Sequence, residues 1–114
     1  MKTQTLAKSD LKVSRLAYGC MRISGTWDPA AVTPAMEAEG IKAVLAAWEA
    51  GYTLFDHADI YGRGTCETVY GKALKQEPAL KQAVVATKCG ILFSDEPKPG
   101  DPHFRQVHNH LAGT

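Results

Sequence analysis

At 114 residues the chain has the length of one small domain, and 45% hydrophobic with 22% charged residues is an ordinary globular composition. Its 13 Lys and Arg are interspersed with 12 Asp and Glu for a formal net charge of +1 at pH 7. Without a basic block, neither a nucleic-acid stripe nor a polybasic membrane patch is expected. Met1 to Asp10 lacks the apolar core of a signal peptide, and no run approaches the ~20 apolar residues that cross a bilayer, so a cytoplasmic location is the default expectation.

Thr3 to Leu6 and Lys12 to Leu16 flank the polar turn Lys8-Ser9-Asp10, which predicts an N-terminal hairpin. Leu16-Ala17-Tyr18 follows as a first main strand ending at Gly19, with Gly19 to Arg22 as the loop beyond it and Ser24 to Pro34 as a longer connection. A helix is expected from about Ala35 to Ala50: Ile41, Val44, Leu45 and Trp48 form one apolar stripe, Thr33 and Pro34 suit its start, and Gly51 suits its stop. Gly40 weakens that helix by roughly 1 kcal/mol relative to alanine. Gly51 to Asp56 predicts a second strand, Cys66 to Lys75 a second helix capped by Thr65, and Lys75 to Ala83, broken by Pro78, a connection with a turn of helix. Val84 to Thr87 is a third strand of the β-branched type. Beyond Gly90 the pattern dissolves: no fourth strand is expected, and the tail offers only a short helix near Val107 to Leu111. Alternating strands and helices imply parallel strands joined by right-handed crossovers, hence a doubly wound sheet or a (β/α)8 barrel.

Cys20, Cys66 and Cys89 leave one thiol unpaired in any scheme and show no C-x-x-C spacing, so neither a disulfide framework nor a zinc ribbon is expected. Free thiols at packing or backbone-region positions are the expectation. His103, His108 and His110 lie in a polar segment without matched ligand spacing, and no metal site is expected there.

The segments Asp56-His57-Ala58-Asp59-Ile60-Tyr61-Gly62 and Ala86-Thr87-Lys88-Cys89-Gly90 place a carboxylate, a phenol and an amine beyond two apolar runs, where parallel strands deliver chemistry. Tyrosine titrates near ~10 and lysine near ~10.4, so a buried Lys88 ammonium beside Tyr61 would help the phenol release a proton, with Asp56 holding that ammonium in place and charged. A structural ion pair beside a tyrosine would present the same residue types. Residue types alone leave both readings open.

The arrangement resembles the aldo/keto reductases. The residues that carry the resemblance are Leu16-Ala17-Tyr18-Gly19-Cys20-Met21-Arg22, Ala50 through Gly62, Cys66-Glu67, Gly71-Lys72-Ala73-Leu74 and Val84 through Gly90. The resemblance implies a (β/α)8 barrel that binds NADPH and passes a hydride to an aldehyde or ketone, with Tyr61 as general acid, Lys88 and Asp56 as its partners, and Gly19, Cys20, Met21, Arg22 and Asp56 near the nicotinamide. His57 stands where many members have a small hydroxyl residue and is expected to pack. The family's catalytic histidine follows the next strand, and its grip on the adenosine lies mainly in the C-terminal third; neither has a counterpart here.

A complete barrel takes ~250 residues, so the chain is expected to be the N-terminal portion of one, about three βα units, with residues 1–93 family-like and 94–114 a loop and tail. Weak or absent turnover, and self-association through open sheet edges, are the corresponding expectations. The alternative is a non-catalytic binding or interaction protein derived from the reductase fold. A flavodoxin-like domain is a weaker reading, since no G-x-G-x-x-G follows the first strand.

Overall fold

A computed structural model of the chain describes residues 1–93 and 106–108. Strands β1 (Thr3–Thr5) and β2 (Lys12–Ser14) form the N-terminal antiparallel hairpin, Thr3 opposite Ser14. The hairpin is fastened to the rest of the chain by a reciprocal pair of bonds: the Ser14 amide donates to Thr53 Oγ1 at 2.8 Å and the Thr53 amide to Ser14 Oγ at 3.0 Å. Val13 and Ser14 are accordingly buried.

The central sheet has three parallel strands in the order β3 (Tyr18–Gly19), β4 (Leu54–Asp56) and β5 (Val84–Ala86). Between β3 and β4 runs helix α1 (Pro34–Glu49); between β4 and β5 run α2 (Thr65–Gln76) and a 3-10 segment, Pro78–Gln82. Phe55 of β4 points to the helices and is fully buried, its ring tilted against that of Tyr70 of α2 at 5.3 Å between centroids. Ile41, Val44 and Ala47 of α1, Cys66, Val69 and Ala73 of α2, Ile23 and Leu80 complete that core. Leu54 and Asp56 alternate to the opposite face of β4, as the period of a strand requires, and are half-buried.

Helix α1 starts where expected: Thr33 Oγ1 accepts from the Met36 amide at 3.2 Å, and Pro34 takes the first turn, where its missing N–H costs nothing. The deepest stripe runs through Gly40, Ile41, Val44 and Ala47, while Leu45 and Trp48 only flank the core. Gly40 is there for contact: a Cβ would drive into the Ile23 carbonyl and come within 2.9 Å of Val69 Cγ1.

Four expectations need correction. Thr65 does not cap α2; the cap position is Gly64, left-handed at φ 95, and the Thr65 hydroxyl donates back to the Gly62 carbonyl at 2.7 Å. Strand β4 begins at Leu54 because Gly51, at φ 100, and Tyr52, whose amide returns to the Ala47 carbonyl, are spent ending α1. Beyond Gly90 a further strand does exist: β6 (Ile91–Phe93) pairs antiparallel with β7 (Gln106–His108), Ile91 opposite His108. Three apolar residues are too few for period to reveal, and their partner lies across a proline-rich stretch. Val107 and His108 are thus in a strand rather than the expected helix; His103, His110 and the remainder of that segment lie outside the described residues.

Candidate active site

Gly19, Asp56 and Ala86 stand in register across the sheet, so all three parallel strands end at one level. The ladder continues one step further, with the Cys20 amide donating to the Asp56 carbonyl at 2.9 Å and the His57 amide to the Ala86 carbonyl at 2.7 Å. This fixes the Asp56 backbone from both sides and aims its carboxylate at the residues that follow β5. Lys88 Nζ donates to Asp56 Oδ1 and to the His57 carbonyl, both at 2.7 Å. Tyr61 arrives from the turn after β4, and its hydroxyl donates to Asp56 Oδ2 at 3.3 Å. The ammonium stands 5.4 Å from the centroid of the Tyr61 ring. The structure therefore brings together all three groups singled out from the sequence.

Lys88 has its pKa held above the usual lysine range, first by its hydrogen bond to Asp56, with desolvation opposing and the Asp56 charge and Tyr61 adding to the rise. It is not the buried ammonium expected from the sequence: the side chains of Lys88 and Asp56 are 54% and 41% exposed. No strand among the described residues covers the far edge of β5, so solvent reaches and screens the pair. Asp59, Ile60, Tyr61, Lys88, Cys89 and Ile91 border a hollow of about 150 Å³ at this end of the sheet. Two larger hollows, of about 470 and 540 Å³, lie along α1 and include none of Asp56, Tyr61 or Lys88.

Of the residues implied to face a nucleotide, Gly19 is exposed, with nothing within 4 Å of where a Cβ would sit, so a flat ring has room against the strand end beside Asp56. Met21 and Arg22 are exposed on the loop that follows. Cys20 turns the other way: its side chain is fully buried, and burial, with Cys66 and Asp56 adding, pushes the thiol up to about 12. An open strand end beside a carboxylate with hydrogen-bonding capacity fits the nicotinamide end of a dinucleotide.

His57 packs. It is buried edge-on to Tyr70 at 4.6 Å, burial lowers its pKa, and neither ring nitrogen has a hydrogen-bond partner. Among the described residues no group of three or more His, Cys, Asp or Glu is placed to hold a metal ion. No helix among them is long and apolar enough to cross a membrane. Sequence reasoning missed the His57 carbonyl as a Lys88 acceptor and the buried Ser24–Cys66 contact at 3.3 Å. Backbone carbonyls carry no sequence signal, and a serine and a cysteine so far apart in the chain are linked only by the fold.

A carboxylate, a phenol and an ammonium are gathered where parallel strands end, the face at which α/β proteins, barrels among them, commonly place their sites. The chain belongs to the aldo/keto reductase family, whose model matches residues 15–111. It is 38% identical over 102 residues to the probable aldo-keto reductase 1 of Glycine max, a match covering 87% of this chain and 28% of that protein. With the 6-dehydroglucose reductase of Agrobacterium fabrum it shares 43% identity over 91 residues, 78% of this chain and 29% of the relative. Among solved structures, the holo form of an aldo-keto reductase from Bacillus halodurans superposes with a TM-score of 0.67 at 30% identity, covering 94% of this chain and 30% of that one. The chain thus spans about 30% of the length of these relatives. Its parallel strands and helices are part of their (β/α)8 barrel, and the described residues do not close it.

Proposed function

We propose that this chain carries the proton-donating and nicotinamide-facing part of an NADPH-dependent reductase of aldehydes or ketones. The observation that supports this best is the shared carboxylate, with Lys88 on one oxygen of Asp56 at 2.7 Å and the Tyr61 hydroxyl on the other at 3.3 Å. When bound, the nucleotide supplies a hydride to the carbonyl carbon. Tyr61 donates its phenolic proton to the carbonyl oxygen, which completes the alcohol and leaves a phenolate. At 3.3 Å its bond to Asp56 lies beyond the usual range for O–H···O, so redirecting the proton to a substrate oxygen costs little. Lys88 remains charged because Asp56 holds its pKa up, and that charge stabilises the phenolate until water returns a proton. Asp56 and the His57 carbonyl keep the ammonium in place throughout. Gly19, Met21 and Arg22 face the nicotinamide, and Cys20 contributes its backbone only.

Exposure limits what the chain does alone. With Lys88 and Asp56 both more than a third exposed, water screens the charges that a reductase site needs to concentrate. We therefore infer turnover close to the uncatalysed rate for the isolated chain. Grafting residues 1–93 onto the matching part of the Agrobacterium fabrum relative supplies a covered site. That chimaera is expected to oxidise NADPH with a reactive aldehyde, and Tyr61→Phe to lower its rate by about 10²–10⁴, the usual worth of a general acid. Equal rates with and without the Tyr61 hydroxyl would remove Tyr61 from the chemistry. Tyr61-dependent turnover by the isolated chain would overturn the inference from exposure.

A further inference from the structure

Tyr61 stands at the start of an unusual turn. Gly62, Arg63 and Gly64 are all left-handed, at φ 57, 53 and 95, and Gly62 is buried. A Cβ on Gly62 would strike Thr65 Oγ1 and come to 2.8 Å from Ser24 Oγ and 3.4 Å from Cys66 Sγ. The backbone immediately after the phenol is thus boxed by three side chains, one of them from a different loop. That loop is the connection from β3 to α1, which also carries Met21 and Arg22.

Ser24 and Cys66 are both buried, at 1% and 0% exposure. Ser24 Oγ donates to the Thr26 carbonyl at 2.9 Å, Cys66 Sγ donates to the Met21 carbonyl at 3.4 Å, and the two heteroatoms touch at 3.3 Å. A hydroxyl and a thiol have one proton each, so two protons serve three contacts. Whichever contacts hold the protons, the pair grips the loop at Met21 and Thr26 and presses it onto Gly62. Buried polar groups placed this way specify one arrangement of the backbone around them.

We propose that Ser24 and Cys66 are positioning residues that lock the loop after β3 against the Tyr61 turn, setting the proton donor and the nicotinamide-facing loop by one shared contact. The assignment of those two roles rests on the proposed function; the locking itself does not.

The test uses the 114-residue chain with isotope-labelled tyrosine, its four tyrosine ring signals assigned with Tyr61→Phe. Ser24→Ala and Cys66→Ala are expected to move the Tyr61 signal and leave that of Tyr52 in place, and Cys66→Ser, which restores a proton and a lone pair, to return it. Lys72→Ala, which breaks the 2.6 Å bridge from α2 to Glu37 of α1, is expected to leave Tyr61 unmoved and so controls for general loosening. Circular dichroism reports whether each variant folds. If Cys66→Ala does not, Ser24→Ala carries the same expectation; if neither folds, the pair serves the core and the proposal fails. An unmoved Tyr61 signal in folded Ser24→Ala, or no return with Cys66→Ser, also overturns it. Because nothing in this readout requires hydride transfer, its outcome is separate from that of the chimaera assay.

Discussion

His57 and Asp56 are neighbours in the chain and opposites in environment: one is sealed against Tyr70, the other opens to solvent. Burial lowers the His57 pKa below its ordinary 6.5, with Glu67 and Asp56 opposing and Lys88 assisting. The unfolded chain therefore binds a proton on this ring more readily than the folded one. Its contribution to stability is full above pH 6.5 and is lost as pH falls from there towards the lower folded value. Denaturant melts from pH 8 to pH 5 should show His57→Leu gaining on the wild type as the pH drops below that point; parallel curves would sink the idea. Thiol chemistry gives a second check at this scale. Cys89 is exposed while Cys20 and Cys66 are buried, so one of three thiols should react with an aromatic disulfide reagent under native conditions and all three in denaturant. Fast labelling of Cys20 in the folded chain would contradict its burial.

Among the elements, α1 shows where local preference and tertiary contact disagree. Helix propensity alone favours Gly40→Ala by about 1 kcal/mol. The Ile23 carbonyl and the Val69 methyl occupy the space a Cβ needs, and overpacking of that kind costs about 1–3 kcal/mol. The variant should be less stable in chemical denaturation despite its better propensity, and a more stable variant would show that the loop at Ile23 yields freely. The Thr33→Ala variant should lose about 1 kcal/mol through its bond to the Met36 amide. The same helix shows what the sequence makes legible. Its start, its stop and its apolar face follow from Thr33, Pro34, Gly51 and the spacing of Ile41 and Val44, because these are local effects. What Gly40 is for depends on a carbonyl seventeen residues upstream, by the numbering of Ile23 and Gly40. Likewise Asp56, Tyr61 and Lys88 announce themselves by type and position, whereas their exposure depends on which strands flank β5, and no residue in the motif encodes that.

Over the whole molecule, a sheet of three strands has two outer edges, and among the described residues neither β3 nor β5 has a second partner. Leu16 and Val85, near or on those edges, are 59% and 45% exposed. Unpaired parallel edges with apolar side chains beside them favour association between copies. Size-exclusion chromatography should show elution that shifts with concentration, accompanied by a shallow thermal transition in circular dichroism. A monomer with a sharp melt at every concentration would show that the two-helix, three-strand core is sufficient alone.

The bond from Lys88 Nζ to the His57 carbonyl bears on what happens to such a site when selection for turnover ends. That lysine is a rivet whatever else it does: it fastens the segment after one strand to the tip of its neighbour, whether or not a carbonyl is ever reduced. A descendant indifferent to hydride transfer still loses cohesion when the rivet goes, whereas losing the phenolic oxygen of Tyr61 costs it only one long hydrogen bond. Under the proposed function, loss of activity should therefore strike Tyr61 before Lys88, and a chain that keeps its lysine has not thereby kept its chemistry.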